Sequence, residues 1–128
     1  MLNCMLEGIK VLDLSRVLAG PYCTQMLGDL GADVWKIESA AGDETRHWGP
    51  PFLEGESTYY LSVNRNKRSV TVNLKDPAGA DLVRQLALKA DVLVENFKTG
   101  DLERYGLSYS QLRADNPRLV YVSITGFG

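Results

Sequence analysis

Residues 11–38, VLDLSRVLAGPYCTQMLGDLGADVWKIE, read as a strand, a loop, a helix and a second strand. Clustered β-branched residues in IKVLDL predict a strand over 9–14. Pro21 suits the first turn of a helix, where its missing N–H leaves no bond unmade. Cys23, Met26, Leu27 and Leu30 follow the i, i+3, i+4, i+7 spacing of a buried helical face. Gly31 is placed to end that helix as a left-handed cap, and 32–38 supplies the next strand. So short a return favours a parallel pair with a right-handed crossover. Units of this kind hold nucleotides or coenzymes in their first loop.

Working outward, residues 39–67 mix Gly, Pro, aromatic and charged residues without a sustained period. A stretch of that length is functional or wraps a partner, and its aromatic run STYYLSV points to an ordered, packed excursion. RSVTVNL predicts a third strand. Asp76 then caps a helix that begins at Pro77, with Leu82, Val83 and Leu86 facing the core. ADVLVENF is a further strand, short and apolar, closing on Glu95 and Asn96. A small helix is expected near 101–105, and Ser108 with Gln111 forms a capping box for another. Pro117 breaks that helix, and RLVYVSI makes a last strand ending in TGFG. Alternating strands and helices predict an α/β fold, an open and mostly parallel Rossmann-like sheet, with 1–128 as one portion. A last strand running into TGFG leads us to expect the N-terminal part of a larger protein.

The chain has 128 residues, 45% of them hydrophobic and 23% charged, with a net charge of −2. That is ordinary globular composition. No global basic field recruits nucleic acid or an anionic membrane, and no apolar run reaches the length of a membrane span. Cys4 and Cys23 lack metal or disulfide spacing, and Cys23 reads as a small buried hydrophobe. The N-terminal MLNCMLEGI has no basic region and no long apolar run. These features predict a cytoplasmic protein, or a mitochondrial-matrix one if a presequence is missing.

If the sheet is parallel, the loops SRVLAGP, ESAAGDETRHW, KDP, ENFKTG and TGFG converge on one rim. Gly20 permits close backbone approach before the helix, or simply makes a tight turn. Glu38, 18 residues beyond Gly20, lies near where a dinucleotide fold keeps its ribose-binding acid. The absent G-x-G-x-x-G argues against a dinucleotide. Arg65, Lys67 and Arg68 form either a solvated face or a phosphate clamp that Lys75 and Arg104 would strengthen. Asn96 can hold a peptide-like group and Phe97 an apolar arm or a base; the alternative is a strand-end turn. His47, the single histidine, has no Ser or Cys elbow nearby to make a triad, and Asp43, Glu44, Thr45 and Arg46 read as a structural knot of ions and hydrogen bonds rather than a catalytic set. No residue stands out as a nucleophile.

In order, the segments LEGIKVLDLSRVLAGPYCTQMLGDLGADVWKIE, GDETRHWGPPF, STYYLSVNRNKRSVTVNLKDPAG, ADVLVENFKTGDLERYGL and NPRLVYVSITGFG resemble the start of the class III coenzyme A transferases (CaiB/BaiF-like). The resemblance covers nearly all of 6–128. It implies transfer of coenzyme A from an acyl-CoA donor to a free carboxylic acid, with no tightly bound cofactor. It places Leu18, Ala19, Val72, Asn73, Leu74, Lys75, Asn96, Phe97, Lys98 and Arg104 against the coenzyme. Ser39 stands where the family often has an arginine near the nucleotide end.

The family's nucleophile is an aspartate that falls beyond Gly128, so the resemblance implies a chain inactive by itself. It also implies an interlocked homodimer, and a segment that is marginal or self-associating when isolated. GDETRHWGPPF with STYYLSVNRNKRS is most similar to transferases of dicarboxylates such as succinate and glutarate. The same fold serves α-methylacyl-CoA racemases, whose patterns have glycine-rich residues at NRNKR and proline at Asn96. A coenzyme-binding chain without chemistry is the further alternative.

Overall fold

The computed structural model describes residues 4–127; residues 1–3 and Gly128, which ends the TGFG segment, lie outside them. The chain runs β1 (Lys10–Asp13), α1 (Ala19–Asp29), β2 (Asp33–Glu38), a 3-10 turn (Glu44–His47), the hairpin β3 (Phe52–Leu53) and β4 (Glu56–Ser57), and α2 (Thr58–Asn64). It continues through β5 (Lys67–Thr71), α3 (Pro77–Leu88), β6 (Val92–Glu95), a 3-10 turn (Glu103–Tyr105), α4 (Tyr109–Arg113) and β7 (Val120–Ser123). Five strands form one sheet in the order β5-β2-β1-β6-β7, every pair parallel. The expected α/β fold with a parallel sheet is therefore present, and its loops do share a rim.

The chain first builds outward through β1, β2 and β5. Then α3 carries it back to the other side of β1 for β6 and β7. Strand order thus reverses between β1 and β6, and in open α/β sheets that crevice is where ligands settle.

The two faces of the sheet differ. Against α3 and α4 lies the main apolar core, with Leu12, Leu14, Ile37, Val83, Leu93, Leu107 and Leu112. Against α1 only Val11, Ala32 and Val34 make a buried apolar patch. Above it the strands turn polar: Asp13, Lys36 and Glu38 are all buried.

That polarity corrects the expected face of α1. The helix buries Gly20, Pro21, Thr24 and Gln25, whereas Met26 and Leu30 are exposed and Cys23 and Leu27 half-buried. Thr24 Oγ1 donates to Asp13 at 2.6 Å, and Gln25 accepts from the Arg65 N–H at 3.1 Å. A buried charge needs partners, so the helix turns its polar stripe inward. On α3, Val83 and Ala87 are buried and Leu86 packs at the edge of the core. Leu82, expected inside, is exposed, because the helix rotates Ala87 inward in its place.

The excursion 39–67 carries a 3-10 turn, a hairpin and a helix, and is more regular than its sequence suggests. Its elements are too short to show a period. Ser57 Oγ accepts from the Tyr60 N–H to start α2. Gly31 is left-handed (φ 102°), and Asp76 caps α3 through the Ala78 N–H at 3.0 Å. The Gln111 side chain accepts from the Ser108 N–H at 3.0 Å, the glutamine half of the expected box.

Candidate functional site

At the carboxyl ends of the strands lies a cavity of about 340 Å³. Leu14 and Arg16 reach it from β1, Ser39 and Gly42 from β2, Val72, Asn73, Leu74 and Lys75 from β5, and Phe97 and Arg104 from the segment after β6. Arg16 and Phe97 meet across the switch point, the guanidinium 5.6 Å from the ring centroid. Arg104 sits 3.4 Å from Asp101 and over Tyr105. The carboxylates lining the cavity have partners of their own: Asp43 with Lys36, Glu38 with Arg46. Among the described residues no carboxylate pairs with Arg16 or Lys75. The open rim is therefore cationic even though the whole chain is slightly acidic.

The first loop is held in an unusual shape. Val17 has φ 70°, a conformation rare and costly for a β-branched residue. Three groups hold its surroundings. The Arg16 N–H donates to Asn96 Oδ1 at 2.9 Å, and Asn96 Nδ2 returns a bond to the Arg16 carbonyl at 2.7 Å. The Val17 N–H donates to Asp43 at 3.2 Å. Lys36 Nζ donates to the Ser15 carbonyl at 2.9 Å and to Asp43 at 3.0 Å. Burial alone would raise the Asp43 carboxyl. The Thr45 amide and the Lys36 ammonium outweigh it and hold the group below its ordinary range.

Beneath the loop the network continues. Burial would also raise the Glu38 carboxyl, but the Arg46 fork, Ser69 hydroxyl, Asp43 amide and Tyr60 hydroxyl hold it well below the usual carboxylate range. Lys67 Nζ donates to Asp13 at 3.0 Å, the Pro21 carbonyl at 2.9 Å and Asn64 at 2.9 Å. Burial lowers that ammonium to about 8 against the opposing pull of Asp13. Every buried side-chain nitrogen and oxygen among the described residues has a partner.

Seven expected coenzyme contacts, Ser39, Val72, Asn73, Leu74, Lys75, Phe97 and Arg104, line the same cavity. Asn96 and Lys98 line a shallower neighbouring one beside Phe97, and the Asn96 amide is engaged with the Arg16 backbone. Leu18 and Ala19 open α1, outside both cavities, with Leu18 exposed. Arg65, Lys67 and Arg68 do not form a clamp at this rim. They stand at the amino-terminal end of β5, where Arg65 pairs with Asp29 and Arg68 with Asp33, while Lys67 points beneath α1 towards Asp13.

Two apparent dinucleotide features have other duties here. Glu38 is saturated by four side chains and amides, so it has no lone pair to spare for a ribose. A Cβ on Gly20 would collide with the Ser15 side chain, so this glycine makes room for Ser15. The expected knot around Asp43 exists: its carboxylate accepts from the Thr45 N–H at 3.0 Å, and Arg46 forks onto Glu38 at 2.8 and 2.7 Å. Reasoning from sequence missed Arg16, Lys36 and Asp43 as one assembly. A signal was present in charged residues alternating with apolar ones inside buried strands, VLD and VWKIE.

The family model for CoA-transferase family III matches residues 6–128. The chain belongs to this family. It is 57% identical over 124 residues to a human succinyl-CoA:glutarate CoA-transferase, covering 96% of this chain and 28% of that protein. It is 55% identical to the succinate–glutarate CoA-transferase of Agrobacterium fabrum, with 96% and 32% covered. The crystal structure of a CAIB/BAIF family protein from Brucella suis superposes with a TM-score of 0.95 at 54% identity, over 98% of this chain and 34% of that one. The family III chain thus spans about three tenths of the length of these curated relatives, and matches a leading segment of the transferase fold. No helix among its described residues is long and apolar enough to cross a membrane.

Proposed function

We propose that this segment binds the coenzyme A portion of an acyl-CoA, and that the protein carrying it transfers coenzyme A to a free carboxylic acid of the dicarboxylate class. The observation carrying this reading is the cationic cavity at the strand ends. A coenzyme with phosphates at one end and an apolar thiol arm at the other suits a rim that offers Lys75 and Arg104 together with Phe97 and Leu74. The names of the similar transferases, which refer to succinyl-CoA and glutarate, support a dicarboxylate acid.

In the proposed reaction an aspartate outside these 128 residues attacks the donor's thioester carbonyl. The carbon–sulfur bond breaks and CoA leaves as the thiolate, forming a mixed anhydride. The thiolate then attacks the aspartyl carbonyl and releases the donor acid as its carboxylate. The acceptor carboxylate next displaces the thiolate from the enzyme thioester, giving a second anhydride. The returning thiolate attacks its acceptor-derived carbonyl, yielding the new acyl-CoA and restoring the aspartate. Splitting one difficult substitution into several easier ones is the logic of nucleophilic catalysis. The chain's own cavity aspartates suit support better: Asp43 holds Lys36 and the Val17 amide, and Asp101 faces Arg104.

Calorimetric titration of the protein with CoA and with NAD tests the reading. Saturable CoA binding with no NAD binding is expected, and the reverse would overturn it. Arg104→Ala is expected to weaken CoA by roughly 1.5–3 kcal/mol, as the loss of a charge-assisted bond does.

A further inference from the structure

We infer that Arg16, clasped at the strand-order reversal by Asn96, is the group that recognises a second carboxylate on the acyl or acid substrate. This inference rests on the proposed coenzyme A chemistry and names the residue that selects for dicarboxylates. Four observations carry it. Arg16 lies on the cavity between β1 and β6, where this topology directs ligands. Its guanidinium has no carboxylate partner among the described residues, while the other cavity arginine, Arg104, already faces Asp101. Its backbone is fixed on both sides by the Asn96 amide, at 2.9 and 2.7 Å. The next residue, Val17, is held in a conformation it would not choose, and such local strain persists only where the surroundings impose it.

A surface arginine that merely solubilised the chain would need none of this support. A planar guanidinium on a fixed backbone presents paired N–H donors that match a carboxylate in two parallel bonds. The Phe97 ring lies under the guanidinium, with its centroid 5.6 Å away, and takes none of its N–H donors. Asn96 is then a positioning residue that acts through Arg16.

The test uses the protein expressed from its full coding sequence and three inert titrants: CoA, butyl-CoA and 3-carboxypropyl-CoA. The two thioethers have arms of equal length, and only the second ends in a carboxylate. Neither can donate an acyl group. Wild-type protein is expected to favour 3-carboxypropyl-CoA over butyl-CoA, and Arg16→Ala to abolish that preference, a loss of roughly 10- to 100-fold for a charge-assisted bond. Free CoA and butyl-CoA should lose only a small and equal factor, the share of one rim cation among several. Arg16→Lys should keep a minor part of the preference, since it keeps the charge without the fork. Asn96→Ala should reduce the preference with Arg16 intact, which a purely structural role would not do. A wild type that binds both thioethers equally would overturn the inference, and so would an Arg16→Ala that loses free CoA to the same extent, because the arginine would then be holding coenzyme phosphate. Failure of the wild type to bind CoA at all would instead remove the underlying reading of the site.

Discussion

Removing the Asn96 clasp separates stability from binding in a way set by Val17. Asn96→Ala deletes two hydrogen bonds to the Arg16 backbone. Each contributes about 0.5–1.5 kcal/mol net, so the pair gives about 2 kcal/mol at this half-buried position. The clasp also helps to hold Val17 at φ 70°, whose strain is about 1–3 kcal/mol. Once the clasp is gone the loop relaxes and recovers much of that strain. Asn96→Ala by itself is therefore expected to cost only about 0–1 kcal/mol in urea unfolding, the difference between these two opposing terms. The relaxed loop is then the wrong shape. If relaxation is favoured by about 1 kcal/mol, under a fifth of molecules keep Arg16 in place, and the affinity for 3-carboxypropyl-CoA falls about fivefold or more relative to butyl-CoA.

In a Val17→Gly background a left-handed residue costs nothing. There Asn96→Ala should cost the full ~2 kcal/mol of its bonds and leave the preference for 3-carboxypropyl-CoA over butyl-CoA within about twofold. Going from Val to Gly, then, the stability penalty of Asn96→Ala rises while its binding penalty falls. Equal penalties in both backgrounds, measured as a double-mutant cycle, would refute the idea that the clasp holds a strained loop.

Gly79→Ala places a Cβ against the Asn73 carbonyl. Because the obstacle is backbone, alanine's better helix propensity, about 1 kcal/mol, does not offset the crowding, so chemical denaturation should show a loss of about 1–3 kcal/mol and calorimetry weaker CoA binding as Asn73, Leu74 and Lys75 shift. Gly20→Ala should destabilise by about 1–3 kcal/mol through overpacking, and adding Ser15→Gly should restore part of that melting temperature. Glu38 lies well below its ordinary value of 4.5 in the fold. Its contribution is therefore complete above about pH 4.5 and is lost as pH falls towards the folded-state value, where the native carboxylate takes up its proton. Glu38→Gln should flatten that acid limb in a series of thermal melts and cost about 3 kcal/mol near neutrality, as breaking a buried pair does.

Local chemistry announced much of this architecture. Asp76 before Pro77 and Gly31 after Leu30 mark helix ends by bonds made within a few residues, so a linear reading finds them. The cavity residues 72–75, Phe97 and Arg104 were legible through family resemblance together with the parallel topology that gathers strand ends. The face of α1 was not. Cys23, Met26, Leu27 and Leu30 form a respectable apolar stripe, and nothing near them in sequence reveals that Asp13 and Lys67, 54 positions apart, meet beneath Thr24. Arg65, Lys67 and Arg68 failed for the same reason. A charge cluster has a meaning only once the end of the strand that carries it is known.

The dinucleotide resemblance of residues 11–38 and its failure have one cause. A glycine before the helix leaves room close to the sheet, and an acid closing the second strand offers oxygens beside it. In a dinucleotide fold the ligand fills the space so created. Here the protein fills it: Ser15 takes the room over Gly20, while Arg46, Tyr60 and Ser69 take the oxygens of Glu38. With that space closed from within, the open cavity lies beside it, lined by Val72 and Arg104, and Asp43, also on its wall, links the closed half to the open one. Its carboxylate binds Lys36 below and the Val17 amide above. The buried ions thus have a use that apolar packing could not supply, because only hydrogen-bonding groups can grip the backbone of a loop that no side-chain packing would hold in its strained form.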